Sequence, residues 1–217
     1  MDVKRPQHLE ALKALVSPYR YLVCVDLEAT CDELPEGLTE AEKAVYPLEV
    51  TRDEMETIEV GAVVLDLHQD FAQVGQFCRF IRPSLKPILT PFCTRLTTIT
   101  QADVDAADGY GEVRRQLEAF LAPFEAGGYM WCSWGEYDSK QLLNDATRLG
   151  SQVMLNGVSH TNMKKWHWKI HHCRAMGLQS AVCSYGIEWQ GQCHRGIDDA
   201  INLGNLAGQI LRKSVPV

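Results

Sequence analysis

A chain of 217 residues, 46% apolar and 23% charged, can bury a full hydrophobic core, which excludes the disordered and fibrous classes. No uninterrupted apolar run approaches the roughly 18 residues of a membrane helix, and the start, Met1 to His8, lacks an apolar signal region, so a cytoplasmic protein without membrane association is expected. The net charge of −7 argues against long, salt-driven duplex binding, though not against an enzyme that grips a few nucleotides through bound cations.

Leu9, Leu12, Leu15 and Val16 make an amphipathic start. An apolar run then reads as a strand at about residues 20–27. Residues 32–56 are strongly acidic and read as a loop or short helix: a solvated insertion, or a segment folded over an entrance. Residues 57–65 and 75–82 read as strands joined by a turn near residues 67–70, an antiparallel meander. Pro83, Pro87 and Pro91 mark an irregular connection. Val113, Leu117, Phe120, Leu121 and Phe124 recur at helical spacing up to Gly127-Gly128. A strand over residues 129–133 follows, then a helix over 139–149 and further helices at about 161–175, 178–187 and 198–212. With no repeat and no linker, this order predicts a single domain over residues 1–217, α/β or α+β in class, around a mixed sheet.

Eight cysteines show no Cys-x-x-Cys spacing, and several lie in apolar runs, where cysteine behaves as a small hydrophobe. Only His171-His172-Cys173 offers a local cluster for zinc, and it reads better as part of a helix.

Asp26 and Glu28 are two apart on the first strand, so both carboxylates point to one side and converge at the sheet's edge, where they are costly unless paired or bound to a cation. Asp138 stands where the fourth strand gives way to a helix, and Asp199 opens the last helix. Either aspartate alone reads equally well as a helix cap. Four carboxylates sharing one pocket would repel strongly, and two hard divalent cations, Mg²⁺ or Mn²⁺, would cancel their charge. Such a pair can activate a water and stabilise the leaving oxygen of a phosphodiester. His194, five residues before Asp199, is a candidate to take the water's proton.

These blocks, Asp26-Leu27-Glu28, Asp138 and His194-x-x-x-x-Asp199, resemble the three motifs of the histidine-type DEDD 3′-5′ exonucleases of the RNase H-like superfamily. Residues 26–31, 92–101, 133–134, 139–140 and 194–199 are most similar to the branch that contains the 3′ histone-mRNA exonuclease, the RNAi-regulating exonucleases and the bacterial KapD-type proteins. The likeness spans about residues 20–212. It implies the RNase H-like fold, a mixed five-stranded sheet flanked by helices. It implies metal ligands at Asp26, Glu28, Asp138 and Asp199, and His194 as general base. It also implies a terminal nucleotide lying against Ala29, Leu96 and Thr97, its base stacked between Phe92 and Trp134. Two features depart from the pattern: Glu136 rivals Asp138 as the third ligand, and the acidic insertion 32–56 is long.

Around this constellation, Asp198 reads as a helix cap, and Glu59 as either a carboxylate supporting the site or an edge residue. Trp166, Trp168, His167, His171 and His172 read as packing. Lys164, Lys165, Lys169 and Arg174 could line a phosphate track, with Lys140 and Arg195 the nearer phosphate candidates. The expected activity is metal-dependent 3′-5′ hydrolysis of single-stranded nucleic acid, RNA favoured, to 5′-monophosphates. The alternatives are a DNA-directed or dual-substrate exonuclease and a non-catalytic RNA- or protein-binding regulator, against which the intact set with His194 argues.

Overall fold

The computed structural model describes residues 1–214. β1 (Tyr21–Ala29) sends Leu22 and Cys24 to one side and Val23, Val25 and Leu27 to the other, all buried, so it takes the centre of the sheet. β2 (Thr57–Asp66) and β3 (Ala72–Phe80) extend it antiparallel on one flank, as the expected meander. β4 (Tyr129–Ser133) and β5 (His160–Asn162) extend it parallel on the other, in the order β3-β2-β1-β4-β5. This is the mixed five-stranded sheet of the RNase H-like exonuclease fold. Asp26 and Glu28 therefore belong to the central strand near its C-terminal end, not to an edge of the sheet.

Among the described residues nine α-helices accompany the sheet: α1 (Pro6–Val16), α2 (Glu40–Val45), α3 (Pro91–Thr97), α4 (Gln101–Asp105), α5 (Tyr110–Leu121), α6 (Tyr137–Leu149), α7 (Met163–His171), α8 (Leu178–Ser184) and α9 (Gly196–Arg212). One face of the sheet packs on α1, α7, α8 and α9, where Leu22, Cys24 and Val63 meet Leu9, Leu203 and Leu206. The other packs on α5 and α6, where Val25, Val60 and Ala62 meet Val113, Leu117, Leu142 and Ala146.

Four expectations about elements are corrected. The proline-rich connection is partly helical: Pro91 opens α3, where its missing N–H costs nothing, and the Thr90 hydroxyl accepts the Cys93 N–H at 3.0 Å. α5 stops at Leu121, and Phe124 falls in a tighter 3₁₀ turn, Ala122–Gly127, that holds Pro123. The start of the expected helix at residue 161 is instead the end of β5, three residues too short to show a period, and the Asn162 side chain caps α7 by accepting the Lys165 N–H at 2.9 Å. Asp198 caps nothing; its carboxylate accepts the Gln192 N–H at 2.8 Å and closes the loop before α9.

The acidic segment holds nine acids against Lys43 and Arg52, a surplus equal to the whole chain's net −7. Most of it is exposed. It is pinned beside α6, where Gln141 and Arg148 donate to the Met55 carbonyl at 2.8 and 3.0 Å. Its one buried carboxylate, Glu56, accepts hydrogen bonds from the N–H groups of Ser84, Leu85 and Lys86 and from the Ser84 hydroxyl, tying down the strap that follows β3.

Candidate active site

The C-terminal end of β1, the turn from β4 into α6 and the first turn of α9 meet at one cleft. Asp138 is buried in the first turn of α6, and its Oδ1 accepts the Leu27 N–H at 3.2 Å, placing it against β1 between Asp26 and Glu28. Glu136 is exposed and turned toward β5, where it accepts a hydrogen bond from Asn162 Nδ2 at 2.9 Å. The structure thus brings Asp138, and not its rival, to the first-strand pair. Asp199 is buried in the first turn of α9 and accepts the His194 N–H at 3.0 Å. The exposed His194 has a left-handed backbone (φ 62°), which throws its ring toward the carboxylates. Candidate ligand atoms of Glu28, His194 and Asp199 all lie within 4.8 Å of one another. All five residues line one cavity of about 430 Å³ together with Trp134, Tyr137, Leu178 and Trp189.

Burial sets the electrostatics. It raises the Glu28 carboxyl to about 9, with Asp199 and Glu59 adding like-charge repulsion. Burial lifts Asp26 well above the carboxylate range, and Asp138, Asp199 and Glu28 push it further. Asp199 rises to about 7, burial outweighing the hydrogen bond from His194, and Asp138 rises to about 6, burial outweighing the N–H of Leu27. A cluster this reluctant to ionise, built of hard oxygen donors, fits divalent cations that would neutralise it.

The sign of the linkage follows. A carboxyl raised from 4.5 to about 9 favours folding below its unfolded value, and that contribution is lost as pH climbs through the window. In chelator the protein therefore melts at falling temperature from pH 5 to 9. Mn²⁺ reverses the fall, and Glu28→Gln flattens the chelator profile while shrinking the Mn²⁺ response. Differential scanning fluorimetry reads all three, and a chelator profile that rises toward pH 9 contradicts the account.

The residues expected around the nucleotide divide. Trp134 lines the cleft, but its Nε1 donates to the Met176 carbonyl at 3.0 Å and its ring packs edge-on against buried His167. Ala29 is buried at the end of β1. The buried Thr97 spends its hydroxyl on Cys93 O and Ile99 N–H, and with Phe92 and Leu96 it belongs to α3, beside the cleft without lining it. Tyr137, next to Asp138 and 39% exposed, lines the cavity wall. It went unnoticed in the sequence although an aromatic directly before Asp138 was a legible signal, as was Trp189 five residues before His194.

The guanidinium of Arg195, one of the phosphate candidates, is paired with buried Glu59 at 3.0 Å. Lys140 stays exposed in α6. His167 and His171 are buried in packing, and the His171 ring bonds Tyr185 Oη and the Asp2 carbonyl. Among the described residues, Glu28, His194 and Asp199 form the one group of three placed to share an ion, so the zinc idea for residues 171–173 gains no support. Among them, no helix is long and apolar enough to cross a membrane.

The exonuclease (RNase T) family profile matches residues 23–207. The chain is similar to rat 3′-5′ exoribonuclease 1, 27% identical over 222 residues covering 96% of this chain and 58% of the rat protein. Its fold matches the nuclease domain of 3′hExo, a DEDDh family member, bound to rAMP, with a TM-score of 0.76 and 25% identity over 89% of this chain and 92% of that one. Fission yeast Pop2p, in a Mg²⁺- and Mn²⁺-bound form, shares the fold alone, at 16% identity and a TM-score of 0.61 over 94% of this chain and 88% of that one. The chain spans little more than half the length of the rat protein it matches. With the carboxylates and the histidine meeting where the three motifs require, the chain belongs to the exonuclease family, in the histidine-type DEDD 3′-5′ branch of 3′hExo.

Proposed function

We propose that this chain, as a single domain, hydrolyses single-stranded RNA from its 3′ end and releases 5′-monophosphates, using two divalent ions, Mg²⁺ or Mn²⁺. The observation that carries the reading is the meeting of Asp26, Glu28, Asp138 and Asp199 with His194 in one cleft. The four carboxylates would hold the ions. When bound, these supply charge for the developing oxyanion and lower the proton affinity of a nucleophilic water. His194 has the right place for a general base: its ring lies at the exposed rim beside Glu28 and Asp199, able to take a proton and lose it to solvent. Leu27 on the β1 side and Leu178 on the α8 side give the cleft apolar walls. RNA is favoured over DNA because a 2′-hydroxyl offers a direct handle and the similar proteins carry exoribonuclease names. Eight free cysteines accord with a reducing, cytoplasmic setting.

Tyr137 takes over the stacking role first given to Trp134, since its ring is exposed at the cleft while Trp134 is engaged by Met176. Tyr137→Ala should weaken the apparent affinity for RNA about 5- to 100-fold, the worth of one base-aromatic stack. Steady-state kinetics on a short oligonucleotide measure it, and an unchanged KM removes Tyr137 from the substrate path.

The function is tested with single-stranded RNA and DNA of one sequence, each with a 3′-hydroxyl or a 3′-phosphate, followed by chromatography of the products. Mononucleoside 5′-monophosphates leaving the 3′ end, faster from RNA, support the proposal. Internal cuts or 3′-monophosphate products refute it.

A further inference from the structure

Glu59 has no role in the chemistry above, yet it is fully buried on β2 directly opposite Glu28 of β1. A fifth carboxylate there adds repulsion to a site already crowded with charge, so its retention needs a local reason. Its partners supply one. Glu59 Oε2 accepts the Gly196 N–H at 2.8 Å and the Arg195 Nε–H at 3.2 Å, Oε1 accepts Arg195 Nη2–H at 3.0 Å, and the Cys78 thiol adds a contact at 3.1 Å. The donors that matter are the two residues immediately after His194.

That turn is otherwise hard to hold. His194 is in the left-handed region, which a side-chain-bearing residue keeps only when its surroundings impose it. Asp199 grips the turn from the His194 N–H, and Glu59 grips it from the other side through a bidentate, charge-assisted fork. The seat itself is backbone on backbone. A Cβ on Gly61 would fall 2.1 Å from the Gly196 carbonyl, and one on Gly196 would fall 3.1 Å from the Asp26 carbonyl. Arg195 also lies over the Phe80 ring at 5.3 Å, which fixes the far end of the fork.

We propose that Glu59, through Arg195 and the Gly196 N–H, is a positioning residue that fixes the His194 turn and so keeps the imidazole beside Glu28 and Asp199. The inference rests on the exonuclease reading above and adds to it a residue that acts only through His194. Misplacing a reacting group by about 1 Å costs on the order of 10²-fold. Glu59→Gln, which keeps the shape and loses the charge, therefore lowers kcat about 10- to 100-fold with KM and the Mn²⁺ requirement unchanged.

The test is a cycle of wild type, Glu59→Gln, His194→Ala and the double variant, assayed for RNA shortening in Mn²⁺. A residue that works through His194 costs nothing more once His194 is gone, so the double variant matches His194→Ala within about twofold. An equal loss from Glu59→Gln in both backgrounds, or no loss in either, overturns the proposal. Should Glu59→Gln fail to fold, Arg195→Lys, which keeps the charge and loses the fork, runs through the same cycle with the same outcomes. Wild-type turnover in the same assay separates the two levels: an inactive wild type rejects the exonuclease reading, whereas an active one with an additive cycle rejects only the role of Glu59.

Discussion

Asp138→Asn lowers the rate of RNA shortening by about 10³-fold or more, whereas Glu136→Gln leaves it within about twofold of wild type. Asparagine keeps the size of the side chain and still offers an oxygen to the Leu27 N–H, so the packing of α6 against β1 is preserved. What it removes is the negative charge facing Asp26, and with it a ligand for a cation that contributes several kcal/mol to the transition state. Glu136 lies two residues away but on another side of the turn, exposed and bonded to Asn162, and glutamine keeps that bond. Initial rates on 5′-labelled RNA with circular dichroism of both variants decide it. Equal losses in the two would return the third ligand position to Glu136 or to both.

The second large effect is at His194. Removal of a general base costs roughly 10²- to 10⁴-fold in kcat, and the position is favourable for a clean measurement because His194 is exposed and belongs to no packed cluster. His194→Ala should keep RNA binding and metal-induced thermal stabilisation while losing turnover. The left-handed backbone raises the concern that alanine disturbs the turn itself, and His194→Asn answers it, because asparagine enters that region more readily. Matching losses in the two variants, with KM held, place the effect in proton transfer. Activity that survives in either excludes the imidazole from the rate-determining chemistry.

The strands that build the site were legible because their patterns are long. β1 and β2 bury both faces, and continuous apolar runs with an embedded Asp-x-Glu survive a reading by period alone. β5 was not legible, since three residues, His160–Asn162, carry no periodicity and gain strand identity only from pairing with β4. Pro91 misled because proline ends one helix and starts another with equal ease. Among site residues, Asp138 and Glu136 stand two apart and compete in the sequence, and the fold separates them, Asp138 accepting the Leu27 N–H and Glu136 turning to Asn162. In the sequence, Arg195 read as a phosphate candidate, without its pairing to Glu59. Its partner Glu59 is 136 residues away, and although the sequence offered Glu59 as a carboxylate supporting the site, nothing local to either residue pairs the two. Trp134 was named because residues 133–134 carry the family resemblance, whereas Tyr137 belongs to no such block and comes into view only through its exposure on the cleft wall.

The central claim is that the buried carboxylates are a divalent-ion centre for 3′-5′ cleavage. The most direct measurement is a sequencing gel of 5′-labelled single-stranded RNA incubated in Mg²⁺, Mn²⁺ or EDTA with wild type and with Asp26→Ala. The account predicts a ladder shortening from the 3′ end in either metal, none in EDTA, and none with Asp26→Ala in any lane. A ladder that persists in EDTA, or one that Asp26→Ala produces as fast as wild type, would contradict it.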